Sequence, residues 1–148
     1  MQNRRKFARL VIPVALCLIA AVVMVKRSSA SIGNINKADL SGAWVVTLYA
    51  QTGCGVGTSQ VNFTLNASGV STAATNHGHT AGCGDSTTTG NTFTITSLAA
   101  NGSGTAGLTC GTGCGWTFNI QVAPDRSTFT LVDLTDPLNY LQGTAVHQ

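Results

Sequence analysis

The sequence predicts an all-β protein, an eight-stranded antiparallel up-and-down barrel, with a two-sheet β-sandwich of the same strands as the alternative. Three observations support this fold class. Apolar and polar residues alternate with a period of two in eight short stretches, and the links between them have hairpin length. Thr, Gly, Ser and Asn dominate after residue 40, and there is no Glu anywhere. A meander whose last strand pairs with its first closes into a barrel without open edges.

The first thirty residues have the layout of an export signal. Residues 1–9 are basic, residues 10–25 are apolar, and Ser28 and Ala30 occupy the −3 and −1 places of a signal-peptidase site. We therefore expect cleavage after Ala30, a linker over residues 31–39 and a barrel over residues 40–148. The alternative is a retained anchor, in which residues 10–25 alone would contact a membrane, although this run is shorter than the ~20 residues of a usual span.

Paired arginines in the leader indicate a route of export. Arg4-Arg5-Lys6-Phe7 resembles the twin-arginine motif, with ordinary Sec export as the alternative. The twin-arginine reading implies a bacterial protein, and either route implies one that is periplasmic, extracellular or attached to the cell envelope. Cys17 lies in the apolar run and is read as part of the signal.

The charge balance of the chain changes after the leader. Of the eight Lys and Arg residues, only Lys37 and Arg126 follow residue 27, whereas all five acids lie in the body. The body therefore carries a net charge of −3. Such a surface lacks the basic patch that nucleic acids or anionic lipids require, so neither is an expected partner.

The alternation defines the strands in chain order. Residues 51–59 and 76–90 are predicted as loops, and Asn101-Gly102 as a tight hairpin turn. The inward positions of the first four strands are Trp44, Val46 and Leu48, then Val61, Phe63 and Leu65, then Val70, Thr72 and Ala74, then Phe93 and Ile95. The last four strands are residues 105–109, the strand with Trp116, Phe118, Ile120 and Val122, the strand with Phe129 and Leu131, and residues 139–147.

Aromatic residues recur at the inward positions. These are Trp44, Phe63, Phe93, Trp116, Phe118 and Phe129. They either fill a small core or line an apolar cavity that opens at one end of the barrel and holds a small hydrophobic ligand, and both arrangements occur in small barrels.

The first strand opens with Gly42-Ala43-Trp44. This Gly-x-Trp resembles the motif of the calycin superfamily, which contains the lipocalins and avidins. The resemblance implies a closed β-barrel in which Trp44 packs across the closed end.

The body cysteines follow the meander. Cys54, Cys83 and the turn with Cys110 and Cys114 lie after the first, third and fifth strands, at one end of the barrel. In an exported chain they are expected to form two disulfides. Three connectivities are open, of which Cys54–Cys83 with Cys110–Cys114 is favoured.

The same end of the barrel gathers most of the polar chemistry. His77, His79 and Asp85 are predicted at this rim, with Asp136 nearby. His-x-His on a strand can place two imidazoles on one ion. Because no third or fourth ligand can be assigned, we expect no metal and no cofactor.

No residue pattern indicates catalysis. Ser86, His79 and Asp85 are close in sequence, but no nucleophile elbow or oxyanion loop accompanies them. The prediction is an exported, non-enzymatic barrel that binds a small or apolar ligand. The alternative is a structural or adhesive envelope protein with a solid interior, whose partner would be another copy of itself.

Overall fold

A computed structural model describes residues 33–110, 114–134 and 140–148, apart from the side chain of Cys114. The predicted signal at residues 1–30 and the predicted rim residue Asp136 lie outside the described residues. Within them, no helix combines the length and apolar character needed to cross a membrane.

Eight antiparallel strands form a closed barrel in sequence order, and β8 pairs with β1. The strands are β1 Gly42–Thr52, β2 Gly55–Leu65, β3 Val70–Thr80, β4 Gly84–Leu98, β5 Ser103–Cys110, β6 Cys114–Val122, β7 Thr128–Asp133 and β8 Tyr140–His147. Closure confirms the predicted barrel and excludes the two-sheet sandwich.

The core lies inside the barrel. Because successive side chains of a strand point to opposite faces of the sheet, every second side chain points into the interior. On β1, Trp44, Val46 and Leu48 are buried, as predicted, while Thr47 and Tyr49 face outward. The inward residues of β2, β6 and β7 follow the same rule, so the apolar content of the chain is concentrated in one cluster.

The two predicted long loops are instead strands. Residues 51–59 extend β1 and begin β2, and residues 76–90 complete β3 and begin β4. Most side chains in this region are small or polar, so the alternation of apolar with polar residues is missing. Thr is frequent there, however, and Thr favours the extended backbone. Cross-strand pairing of β3 with β4, including His77 with Thr87 and His79 with Asp85, therefore decides the structure.

The predicted inward face of the third strand, Val70, Thr72 and Ala74, is confirmed at Ala74 and wrong at Thr72. Ser71 and Ala74 are buried, whereas Thr72 is exposed. The pairing of β3 with β4 shifts between Ser71 and Ala74, and a bulge of this kind reverses which side chains point inward. Simple alternation cannot anticipate the shift.

The segment before β1 covers one end of the barrel. Asn36 caps a 3₁₀ helix (Lys37–Leu40), and its side chain accepts hydrogen bonds from the backbone N–H groups of Ala38 and Asp39. Ile35 and Leu40 are 3% and 0% exposed. The stretch predicted as a linker, residues 31–39, thus contributes Ile35 to the core, next to Leu40 at the start of the predicted barrel.

Candidate functional site

The Gly-x-Trp motif is built into the covered end of the barrel. The indole N–H of Trp44 donates to the carbonyl of Leu40 at 2.8 Å, and its ring lies 4.8 Å from Phe129 and 4.7 Å from His147 between centroids. Gly42 has a φ of +133°, and a Cβ there would lie 2.3 Å from Nε2 of His147. Only glycine fits this site. Trp44 thus closes the end, as the resemblance to calycins implies.

An ion pair joins the covering segment to the β6–β7 turn. Nε of Arg126 lies 3.3 Å from Oδ2 of Asp39, whose other partner is the backbone N–H of Asn36. The Asn36 N–H, assisted by Arg126, lowers the pKa of Asp39 below its usual value. Sequence reasoning missed this pair and missed His147, because each contact arises from closure of the barrel.

The middle of the barrel is filled. Phe63 and Phe93 stack with ring centroids 4.4 Å apart, Phe93 lies 6.2 Å from Phe129, and Phe118 is fully buried. The gaps between these apolar side chains are too narrow for a water molecule. A ligand pocket needs far more room, about 300–1,000 Å³, so this packing is a core.

Of the two arrangements predicted for the six inward aromatic residues, five of them adopt the first and are core residues. These are Trp44, Phe63, Phe93, Phe118 and Phe129. Trp116, the sixth, is only partly buried and packs against the edge of the core.

The end of the barrel that carries the cysteines is lined by polar and small side chains. The hydroxyl of Ser59 donates to Oδ1 of Asn76, and the amide of Asn91, which is 2% exposed, donates to Oγ1 of Thr88 at 2.9 Å. Buried polar groups are normally paired in this way. The sequence pattern gives no signal for these residues, because it predicts loops over most of this region.

The disulfide between Cys54 and Cys83 is confirmed. It joins the β1–β2 turn to the β3–β4 turn, across 29 residues of sequence. Cys110 is also disulfide-bonded, and its register partner on β6 is Cys114. The side chain of Cys114 lies outside the described part of the chain, so its predicted bond to Cys110 stays a prediction.

The predicted rim residues lie on strands and face outward. Nδ1 of His79 lies 2.7 Å from Oδ1 of Asp85, and Nδ1 of His77 lies 3.1 Å from Oγ1 of Thr87. The side chains of His79 and Asp85 are 65% and 92% exposed, so water surrounds the pair. In the part of the chain described, no group of three or more His, Cys, Asp or Glu residues is placed to hold a metal ion.

A Ser-His-Asp set is not assembled from these residues. Ser86 follows Asp85 on β4 and therefore points to the opposite face of the sheet. Its hydroxyl lies 3.5 Å from the carbonyl of Gly78, not beside the His79 ring.

The outer wall formed by β1, β2 and β8 presents aromatic rings, amides and hydroxyls. Tyr49 and Tyr140 are 41% and 46% exposed, and their ring centroids lie 6.4 Å apart. We call this surface the tyrosine face; its residues are Thr47, Tyr49, Gln51, Thr58, Gln60, Tyr140, Gln142 and Thr144. None of them is charged. Both tyrosines occupy outward positions of the alternation, but only the β1–β8 register makes them neighbours.

Comparison with solved structures finds other β-barrels. The chain is similar to two redesigned β-barrels bound to DFHBI, mFAP0 and mFAP1, each with a TM-score of 0.49. The identities are 15% and 21%, over 74% and 76% of this chain and 99% and 100% of those chains. It is also similar to the cockroach allergen Per a 4, with a TM-score of 0.38 and 16% identity over 80% of this chain and 72% of the allergen. No protein-family model and no curated protein matches the sequence.

Proposed function

We propose that this protein is an exported, non-enzymatic, calycin-like barrel that binds its partner with its outer wall, as an adhesive protein of the cell envelope. One observation carries the proposal: among the described residues, the apolar side chains inside the barrel are packed so closely that the gap between them is too narrow for a water molecule. A barrel with a solid interior has to recognise a partner from outside. The Cys54–Cys83 disulfide is compatible with an exported protein.

The tyrosine face is the binding surface in this proposal, and a neutral polysaccharide is its partner. Tyr49 and Tyr140 offer two neighbouring rings on which the apolar faces of sugar rings can lie. Exposed Gln60, Gln142 and Thr144 offer amide and hydroxyl groups for sugar hydroxyls. The absence of charge from the face favours a neutral polymer over an anionic one.

The test is retention of the exported protein on insoluble cellulose and chitin, with an anionic polysaccharide for comparison. We expect saturable retention on at least one neutral polymer. Tyr49→Ala with Tyr140→Ala should weaken it at least about tenfold, a change that corresponds to about 1.4 kcal/mol. Tyr49→Phe with Tyr140→Phe keeps both rings and should keep most of the binding. Retention that is absent on every neutral polymer, or equal for the alanine variant, would refute the proposal.

A second candidate is uptake of a small apolar ligand into the barrel. The observation that favours it is that the remaining space is lined entirely by apolar side chains, among them Phe63, Phe93 and Phe118. If the space opens, an apolar dye should bind with one-to-one stoichiometry. Val61→Phe should abolish that binding by filling the space, with circular dichroism as the check that the barrel is folded. The tyrosine variants should leave uptake of the dye unchanged.

A further inference from the structure

The β3–β4 hairpin carries an open sheet edge in a barrel that is otherwise closed. β4 pairs with β3 from Gly84 onward, but its pairing with β5 begins only at Thr92. Within the described part of the chain, residues 84–91 therefore have a strand on one side only. Residues 85–90 are all exposed.

The regular part of this edge is short and lies at its tip. Between Asn76↔Thr88 and Ala74↔Asn91 the register shifts, and Gly90 has a φ of +71°. Gly84 has the same φ of +71° at the hairpin tip, so within residues 84–88 the extended stretch whose free backbone groups can pair with another strand is residues 85–88.

The edge lacks several of the features that normally prevent strand addition. Natural edge strands are protected by short length, charged side chains (Lys above all), Pro, bulges or a covering segment. Residues 84–88 read Gly-Asp-Ser-Thr-Thr, with no Lys and no Pro. The bulge lies beyond Thr88, so it limits the length of the edge without blocking it.

We propose that residues 84–88 form an interaction surface at which two copies of this chain pair their β4 edges antiparallel. The stretch is self-complementary about Ser86. In that register Gly84 lies opposite Thr88 of the second copy, Asp85 lies opposite Thr87, and Ser86 lies opposite itself. The only charge, Asp85, faces a hydroxyl rather than the other carboxylate, and hydroxyl-bearing pairs stabilise neighbouring strands. An extended foreign peptide would gain the same backbone hydrogen bonds but not this pairing of side chains.

The test places charged side chains at Ser86, the residue that lies opposite its own copy in the proposed dimer. Sedimentation equilibrium of the exported protein, with its disulfides intact, should show a monomer–dimer equilibrium. Ser86→Lys and Ser86→Asp each place like charges opposite one another, so each should raise the dimer dissociation constant at least about tenfold. An equimolar mixture of the two variants should restore association. Asn119→Lys, an exposed position on β6 between two paired strands, should associate like the wild type.

Hydrogen exchange provides an independent measurement. Protection of the amides in residues 84–88 should rise with protein concentration in the wild type and not in Ser86→Lys. A wild-type protein that is monomeric at every concentration tested, or variants whose association is unchanged or is not restored by mixing, would overturn the proposal. Ser86→Lys should still bind polysaccharide through the tyrosine face, so failure here leaves the proposed function untouched.

Discussion

The two ends of the barrel are stabilised by different kinds of interaction. At the covered end, Trp44, Phe129 and His147 pack ring against ring beneath the segment that contains Leu40. At the other end, β3 and β4 extend beyond the apolar core and enclose small and polar residues. There the Cys54–Cys83 disulfide joins the β1–β2 turn to the β3–β4 turn. Side-chain burial stabilises the first end. Backbone pairing and a covalent bond stabilise the second, because little apolar surface is available there.

The two ends therefore also differ in the groups that they expose to a partner. The covered end buries large side chains such as Trp44, Phe129 and Leu40 and offers few exposed groups for recognition. The cysteine end and the adjoining wall carry the exposed tyrosines, the His79–Asp85 pair and the open edge of β4. Substitutions at the two ends should therefore have different consequences.

The largest effect is expected at the covered end. Trp44→Ala removes a ring that is 1% exposed, with its hydrogen bond to Leu40, and should lower the free energy of unfolding by about 3–5 kcal/mol. Urea denaturation followed by far-UV circular dichroism measures the change. Trp116→Ala is the matched control, because Trp116 is only partly buried at the other end, and it should cost clearly less. Equal losses for the two variants would contradict the comparison.

The second effect concerns the disulfide at the cysteine end. Cys54→Ala with Cys83→Ala should lower the free energy of unfolding by about 3 kcal/mol, since the bond closes a loop of about 30 residues. Hydrogen exchange should accelerate most in residues 53–59 and 76–88, while amides near Trp44 and Phe129 stay protected. Thr52→Ala alters the same turn, where the Thr52 hydroxyl accepts from the N–H of Cys54, but keeps the disulfide. Uniform loss of protection along the barrel would show that the two ends are one cooperative unit.

The same contrast explains what could be predicted from sequence. Around the covered end, alternation of large apolar residues with Thr and Asn identified β1, β2, β6 and β7 and the faces they bury. At the cysteine end the inward residues are Ser59, Gly78 and Asn76, which are small or polar. The alternation of apolar and polar residues is therefore absent there, and the sequence pattern predicts loops where the structure has strands. The disulfide could still be predicted, because the positions of Cys54 and Cys83 in a meander place them at one end.

Contacts between distant segments were beyond sequence reasoning. Arg126 lies in a turn with a φ of +62°, and only the closed barrel brings its guanidinium to Asp39. The tyrosine face required the β1–β8 register, which sets Tyr49 against Gln142 and Gln51 against Tyr140. Periodicity places a residue inside or outside, but the register decides which residues are neighbours.

The smallest effect is a dependence of stability on pH at the covered end. The backbone N–H of Asn36 and then Arg126 hold the pKa of Asp39 below its usual value. A carboxyl with a lowered pKa stabilises the fold above its unfolded pKa of about 3.9, and this contribution is lost as the pH falls through the folded pKa. Asp39→Asn should therefore be less stable than the wild type at pH 7, and the gap should narrow below about pH 4. Thermal unfolding from pH 7 to pH 2 measures the gap. Asp85→Asn, which removes a carboxylate that is 92% exposed, tests whether the effect belongs to Asp39. A gap for Asp39→Asn that stays constant down to pH 2 would show that the ionised carboxylate contributes nothing to the covered end.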